Sequence, residues 1–430
     1  MKRFSYSSLI GVLSLATCLT SCSNSEDEPN PKPNPEPSPE EFVLKERQDI
    51  SLTEIQKQGI SMQNDFAFRL FKAHSKDNND NSLISPLSVE MCVSMAANGA
   101  SDNVRDEILN VLLPKGTTLD ELNSFNKYLT ASLIDVDNSS VFSLSNSVWV
   151  DQKFSLLTPF SESLSANYNA LSEKLNLYSQ EAAGTINYWI NATTKGLIPK
   201  LYEAAPAQDF ILINTMYFKG QWTVPFEEGK SEEGEFRCED GTVSKVTFMK
   251  SDCEPFNSKI TQDFTAVELP YGNEAFSLVG ILPAEGTSLN SFISELTAEK
   301  WNDIREDMNS IKSVFVNLPR FETNYTIKDM GDIMTEAGIG RLFTDADVFI
   351  NAITPYNLNG KVSMLHKTVF KVDEKGAEGA ALTEIGWVSA PGPDVPIAPN
   401  PVITFDRPFI YIVAEKSTGA ILFIGTVRNL

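Results

Sequence analysis

Residues 372–383 read VDEKGAEGAALT, and the interpretation of this stretch decides that of the whole chain. Four alternate positions, Ala377, Gly379, Ala381 and Thr383, carry small side chains, while Glu378 and Glu384 fall on the intervening parity. Successive side chains of a β-strand point to opposite faces. As a strand, the segment turns its small residues one way and its glutamates the other. It can then be received between two existing strands with no bulky group entering a core and both carboxylates left in water. A flexible Gly/Ala loop is the other reading of the same letters. Apolar runs flank it: 369–372 before, then 409–414 and 420–426 after. The last two are joined by Glu415-Lys416-Ser417-Thr418-Gly419, a hairpin by its turn chemistry.

Further out, 211–218, 265–269, 276–282 and 314–318 are short apolar or alternating runs that predict strands. The first third reads as helix. Phe66, Leu70 and Ala73 recur at helical spacing, as do Val104, Ile108, Val111 and Leu112, with Ser101 placed to cap the second series. Residues 186–201 predict a helix ending near Gly196. Helices first and strands later, without βαβ alternation, indicate an α+β fold. No repeat or second linker follows residue 42, so 42–430 reads as one domain.

Composition narrows the chemistry. With 42% hydrophobic residues over 430, the chain can bury a large core. A net charge of −22 and no basic stripe argue against nucleic acid as a partner. The two histidines, His74 and His366, lie far apart, which excludes HExxH and multi-histidine metal sites. The five cysteines form no CxxC pair, so zinc ribbons and thioredoxin-type redox chemistry drop out. Cys92 sits in an apolar pattern and reads as a core thiol, while pairing of Cys238 with Cys253 stays open. No P-loop or GxSxG elbow occurs. Gly338-Ile339-Gly340 lacks the third glycine of a dinucleotide site, and Asp345 with Asp347 lacks the rest of an EF-hand. The expectation is a non-enzyme without metal or cofactor.

The N-terminus reads as an address. Lys2 and Arg3 precede an apolar stretch over 8–19, too short to span a bilayer, and the motif Leu19-Thr20-Ser21-Cys22 resembles a bacterial lipobox. The resemblance implies a signal peptide over 1–21 and acylation of Cys22, several chains together giving stable membrane anchoring. Ser23 in place of an inner-membrane-retaining aspartate favours the outer membrane, and Glu26-Asp27-Glu28 resembles surface-export signals. Residues 22–41 form the lipidated cysteine and a proline-rich tether that is extended at ~3 Å per residue.

NSLISPLS (81–88), followed by a small-residue helix, resembles a motif of the serpins, and the match continues in family order. LSNSVWV (144–150), INYWINATTKGLIPKL (186–201), ILINTMYFKGQWTVPF (211–226), VELPYG (267–272) and VNLPRF (316–321) follow. The opening stretch, FDRPFIYIV (405–413) and GAILFIGTV (419–427) complete the series. The resemblance implies three β-sheets, eight or nine helices and an exposed reactive-centre loop. It also implies a suicide substrate of serine proteases, with cysteine proteases as a further class: the loop is cut, then enters the central sheet. A non-inhibitory binding module on the same fold is the alternative.

Roles implied by position follow. Glu374, Gly376, Ala377, Gly379, Ala381 and Thr383 match the hinge. Ser85, Ser88, Asn214 and His366 match the shutter, a polar cluster under the opening sheet, in which His366 would hydrogen-bond Asn214. Trp222 matches the breach, where the loop first enters, and Arg320 pairs with Glu374 there. Counting seventeen residues from Glu374 reaches Ala390, followed by Pro391. Proline after a scissile bond impedes serine proteases, so Trp387-Val388, Val388-Ser389 and Ser389-Ala390 are the other candidates. Val388 or Ala390 suits an elastase-like or subtilisin-like enzyme, and Trp387 a chymotrypsin-like one. Trp387 also falls on the inward parity, where its bulk opposes complete insertion. With one lysine in 119–140, no heparin-type cofactor is expected. A monomer is expected.

Overall fold

Side-chain caps begin several of the helices. Thr53 and Gln56 exchange hydrogen bonds in a capping box that opens α1 (Glu54–Ser75), and Thr118 with Glu121 does the same for α4 (Leu119–Asp135). Ser85 caps α2 (Pro86–Gly99), whose Pro86 sits where a missing N–H costs nothing. Ser101 precedes α3 (Asp102–Leu112) without a side-chain cap bond. The computed structural model describes residues 44–430 apart from 77, 307, 309–312, 346, 355–361 and 378–399. The remaining helices are α5 (Thr158–Tyr168), α6 (Gln180–Thr193), α7 (Leu289–Ser294), α8 (Ala298–Glu306), α9 (Gly331–Glu336) and α10 (Arg341–Thr344). That makes ten among the described residues, the last a single turn. Helix α6 stops short of Gly196, because Lys195 and Gly196 both turn to positive φ.

Three sheets and a short strand pair complete the α+β architecture. The main sheet runs β12 (Phe321–Ile327), β14 (His366–Asp373), β15 (Gly376–Ala377), β5 (Phe210–Gln221), β2 (Val141–Asp151) and β4 (Leu171–Leu175). The second runs β1 (Ser82–Ile84), β18 (Ile421–Val427), β17 (Phe409–Glu415), β10 (Phe276–Pro283), β9 (Phe264–Tyr271) and β8 (Ser258–Ile260). The third runs β16 (Val402–Thr404), β11 (Phe315–Pro319), β7 (Val243–Lys250) and β6 (Glu232–Arg237). Strand β13 (Ile353–Thr354) pairs with β3 (Ser155–Leu156). The predicted hairpin is β17–β18. Leu44–Leu430 forms one compact unit, and no described helix is long and apolar enough to cross a membrane.

The main sheet separates two cores. Along β2, Val148 and Val150 face the large core with α2, while Trp149 between them faces a smaller core beneath α6. Ile211 and Ile213 of β5 join Trp149 there. Trp149 meets Trp189 of α6 edge-on, with ring centroids 6.2 Å apart. The alternation lays α2 and α6 on opposite faces of the same sheet, which matters at its centre.

The hinge, the seam and their supports

The centre of the main sheet is a seam between β5 and β14. Among the described residues these strands share no ladder. They are bridged at one end by β15, where Gly376 pairs with Gln221 and Asp373, and Ala377 with Gly220 and Val372. Ala377, the first of the four alternating small residues, is 2% exposed. Gly376 has φ +141, and a Cβ there would lie 2.0 Å from the Gly220 carbonyl oxygen. Only glycine fits this rung.

The turn leading into β15 is held by Trp222 and its neighbours. The Trp222 backbone N–H donates to the Lys375 carbonyl at 3.0 Å, and that of Phe226 to Glu374 at 3.1 Å. The indole Nε1–H donates to the Asp373 carbonyl at 2.8 Å. The indole itself stacks on Tyr271, with centroids 4.4 Å apart and planes 10° from parallel. Beside it, Arg320 Nε donates to both Glu374 carboxylate oxygens at 2.8 Å, and Nη2 adds a third contact. Ser231 Oγ donates to Glu374 Oε1 at 2.5 Å. The Glu374 side chain is 5% exposed. Burial alone raises its pKa, but the Arg320 and Ser231 hydrogen bonds outweigh it and hold the carboxyl below the ordinary value. This corner stays ionised and tied down.

Along the seam the picture reverses. A cavity of about 250 Å³ is lined by Ser88 and Cys92 of α2, Asn214 of β5, His366 of β14, Ile190 of α6 and Tyr202. Since α2 and α6 lie on opposite faces, the cavity passes through the sheet. A smaller void of about 30 Å³ touches Ser85, Ser88 and Asn214. The four polar residues are thus brought together, but the expected His366–Asn214 hydrogen bond is not made. Instead His366 Nε2 accepts the Ser85 backbone N–H at 3.0 Å, which places the neutral ring's proton on Nδ1. Asn214 donates to Asn146 Oδ1 at 2.8 Å, and its own Oδ1 is buried without a partner. The physical reason is the missing ladder: with β5 and β14 unzipped, the two side chains find partners on their own sides. Burial, reinforced by His74, lowers the His366 pKa to about 4. Burial likewise pushes the Cys92 thiol up to about 12, leaving it an inert thiol on the cavity wall.

Several participants carry no sequence signal. Asn146 donates to the Tyr168 carbonyl at 2.9 Å, and the Tyr168 hydroxyl donates to Asn123 at 2.7 Å. Asn214 is thereby wired through β2 and α5 to α4. Tyr271 supplies the platform for Trp222, and Ser231 a partner for Glu374. These residues lie tens to more than a hundred positions from their partners, and only the tertiary fold reveals them. Gly379, Ala381, Thr383, Trp387, Val388, Ser389, Ala390, Pro391 and Cys22 fall outside the described residues, as do 1–21 and 22–41. Cys238 and Cys253 are both free thiols. Among the described residues no cluster of His, Cys, Asp or Glu is arranged to hold a metal ion.

The site is thus a main sheet split at its centre and bridged there by a glycine-alanine rung, within a three-sheet α+β fold. A family model described as Serpin (serine protease inhibitor) matches residues 61–430, and the chain belongs to that family. Serpin A3-2 of Bos taurus is 30% identical over 377 residues, which cover 86% of this chain and 88% of its own length. Iripin-8 of Ixodes ricinus is 28% identical over 383 residues, covering 85% and 92%. The crystal structure of the thermophilic serpin tengpin in its native state matches with a TM-score of 0.77 and 30% identity, covering 90% of this chain and 97% of tengpin. Tengpin in its latent state matches with a TM-score of 0.73 and 27% identity, covering 89% and 100%.

Proposed function

We propose that this protein is a suicide-substrate inhibitor of serine proteases, held on the bacterial outer membrane as a monomer through acyl chains on Cys22. The observation that carries the reading is the seam between β5 and β14, bridged by Gly376 and Ala377 at the point where the small-residue alternation begins. A protease engages the segment around residues 387–391 and forms an acyl-enzyme. The released segment then continues from the β15 rung down the seam. Its small residues face the core and its glutamates face water. About 15 residues at ~3.3 Å each span ~50 Å, enough to carry the acylated protease across the molecule. Serpin loop insertion is an established instance of strand addition to a sheet. Distorting the protease displaces its oxyanion-hole donors from the position where charge develops, and deacylation stalls. The driving force is the unzipped seam, whose strands gain hydrogen bonds and buried contacts on receiving the segment.

The test is incubation with pancreatic elastase, subtilisin and chymotrypsin, followed by denaturing gels and mass spectrometry. An SDS-stable complex and a C-terminal fragment beginning after Trp387, Val388, Ser389 or Ala390 are expected. Cleavage without complex across the panel would sink the reading. Inhibition of cysteine proteases is assayed the same way. Radiolabelled fatty acid incorporation, lost in Cys22→Ala, tests the anchor, and protease accessibility on intact cells tests surface display. Pro391 and the inward parity of Trp387 favour the second reading, a serpin-fold binding module that is cut without trapping.

A further inference from the structure

A groove of about 370 Å³ runs beside α1, and none of its lining residues belongs to the seam. Its volume falls in the ~300–1,000 Å³ range of small-ligand sites. Phe68 and Leu296 form an apolar floor, 1% and 0% exposed, with Met62 and Val111 at the sides. Asp65, Arg69 and Lys72 share one face of α1 at i, i+4 and i+7 and bring charge to the same space. Asp65 is engaged, since its Oδ1 accepts the Ala298 N–H at 2.9 Å where α8 begins. Arg69 and Lys72 are not: among the described residues neither side chain makes a hydrogen bond or an ion pair.

Arg69 is nonetheless held in place. Its guanidinium lies 6.0 Å from the Phe66 ring centroid and packs against Gly338, where a Cβ would come within 2.8 Å of Nη1. A guanidinium offers five N–H donors, and removing such donors from water without partners is costly. Burial lowers the pKa of both Arg69 and Lys72, against an opposing pull from Asp65, and Lys300 lowers that of Lys72 further. In a chain of net charge −22, two partly buried cations with no hydrogen-bonded partner thus lie together over apolar side chains.

We propose that this groove binds a small amphipathic monocarboxylate, its headgroup on Arg69 and Lys72 and its apolar tail along Met62 and Val111, above the buried Phe68 and Leu296. The guanidinium fork matches a carboxylate bidentately. Lys300, which also acts on Lys72, is paired with Glu295, so Arg69 and Lys72 beside Asp65 leave a single positive charge to be balanced, which suits a monoanion better than a phosphate dianion. The site is independent of the inhibitory reading and stands or falls separately.

The experiment is calorimetric titration of the full chain with decanoate, decan-1-ol and sodium sulfate. Decanoate should saturate one site, with the alcohol and sulfate at least about tenfold weaker. Arg69→Gln should weaken decanoate about tenfold and Asp65→Asn should strengthen it about threefold, with thermal melts confirming that each variant is folded. If Arg69→Gln does not fold, Lys72→Gln should weaken binding about threefold or more. Sulfate binding as well as decanoate would overturn the amphipathic class. Decanol binding as well would overturn the role of the cations, and absence of decanoate binding would overturn the site.

Discussion

The molecule contains two six-stranded sheets built on opposite plans. In the second sheet every residue of β10, β17 and β18 is buried, and their ladders run the length of the strands with one register shift, between Val413 and Ala414. Its centre is Leu278, Val279, Ile412, Val413 and Ile424, side chains with nothing to gain from parting. In the main sheet the central strands meet through two residues, and the seam is lined by Ser85, Ser88, Asn214 and His366. Apolar side chains across a ladder stay shut because parting them exposes area at ~25 cal/mol per Å². Hydroxyls, an amide and an imidazole can take any of several polar partners; here Asn214 takes Asn146 and His366 takes Ser85. The main sheet is therefore polar along its seam, and clamped by aromatic stacking and an ion pair at one end.

The sharpest way to break this comparison is to cut the chain within residues 384–390. If the main sheet accepts the free segment, the melting temperature should rise by at least ~10 °C, measured by calorimetry on cut and intact protein. No rise would mean that the two sheets are equally complete. The clamp comes next. Trp222→Ala removes the stack on Tyr271 and the bond to Asp373 and should cost ~3–5 kcal/mol in denaturant unfolding. Arg320→Ala, which leaves a buried Glu374 carboxylate facing a half-exposed gap, should cost less, ~2 kcal/mol.

The polar seam predicts a pH response. His366 has a folded pKa of about 4, below the ordinary 6.5, so the unfolded chain binds its proton first. Its contribution is complete above pH 6.5 and is lost as pH falls toward 4, reaching about 3 kcal/mol. His74, also lowered to about 4, acts in the same direction. His366→Gln and His74→Gln should each reduce the rise of stability with pH between 4.5 and 6.5, against which buried Glu90, its pKa raised by burial, pulls the other way in both variants and the parent alike. An unchanged slope in both variants would refute the assignment. The smallest effect is that of Tyr168→Phe, which deletes the hydroxyl between Asn123 and Asn126 and should cost ~1–2 kcal/mol by the same unfolding assay.

The sequence was legible where a local rule sufficed. Ser85-Pro86 starts a helix and gives the polar seam one of its four residues, and Gly376-Ala377, where the alternation begins, forms the short strand β15. The apolar strands of the second sheet were equally plain. Strands β4, β6 and β8 were not, because their residues are largely exposed or half-buried and show no period-two pattern. Asn146, Tyr168, Tyr271 and Ser231 were silent because an asparagine, tyrosine or serine acquires its role from a partner far away in the chain. The His366–Asn214 bond failed for a different reason. It depends on how far the seam is zipped, which is a property of the folded state and not of either residue.

The rung at Gly376 has a consequence for the chain's mutability. A Cβ at this position meets the Gly220 carbonyl at 2.0 Å, and φ +141 disfavours every L-residue. Any first-base or second-base change in its codon that adds a side chain would hold the hinge out of the seam while leaving both cores and the second sheet intact. A variant of that kind would fold and, under the proposed function, still be cut. Under the proposed inhibitory function, trapping and folding are thus separable traits, and one hydrogen atom on one α-carbon keeps them together.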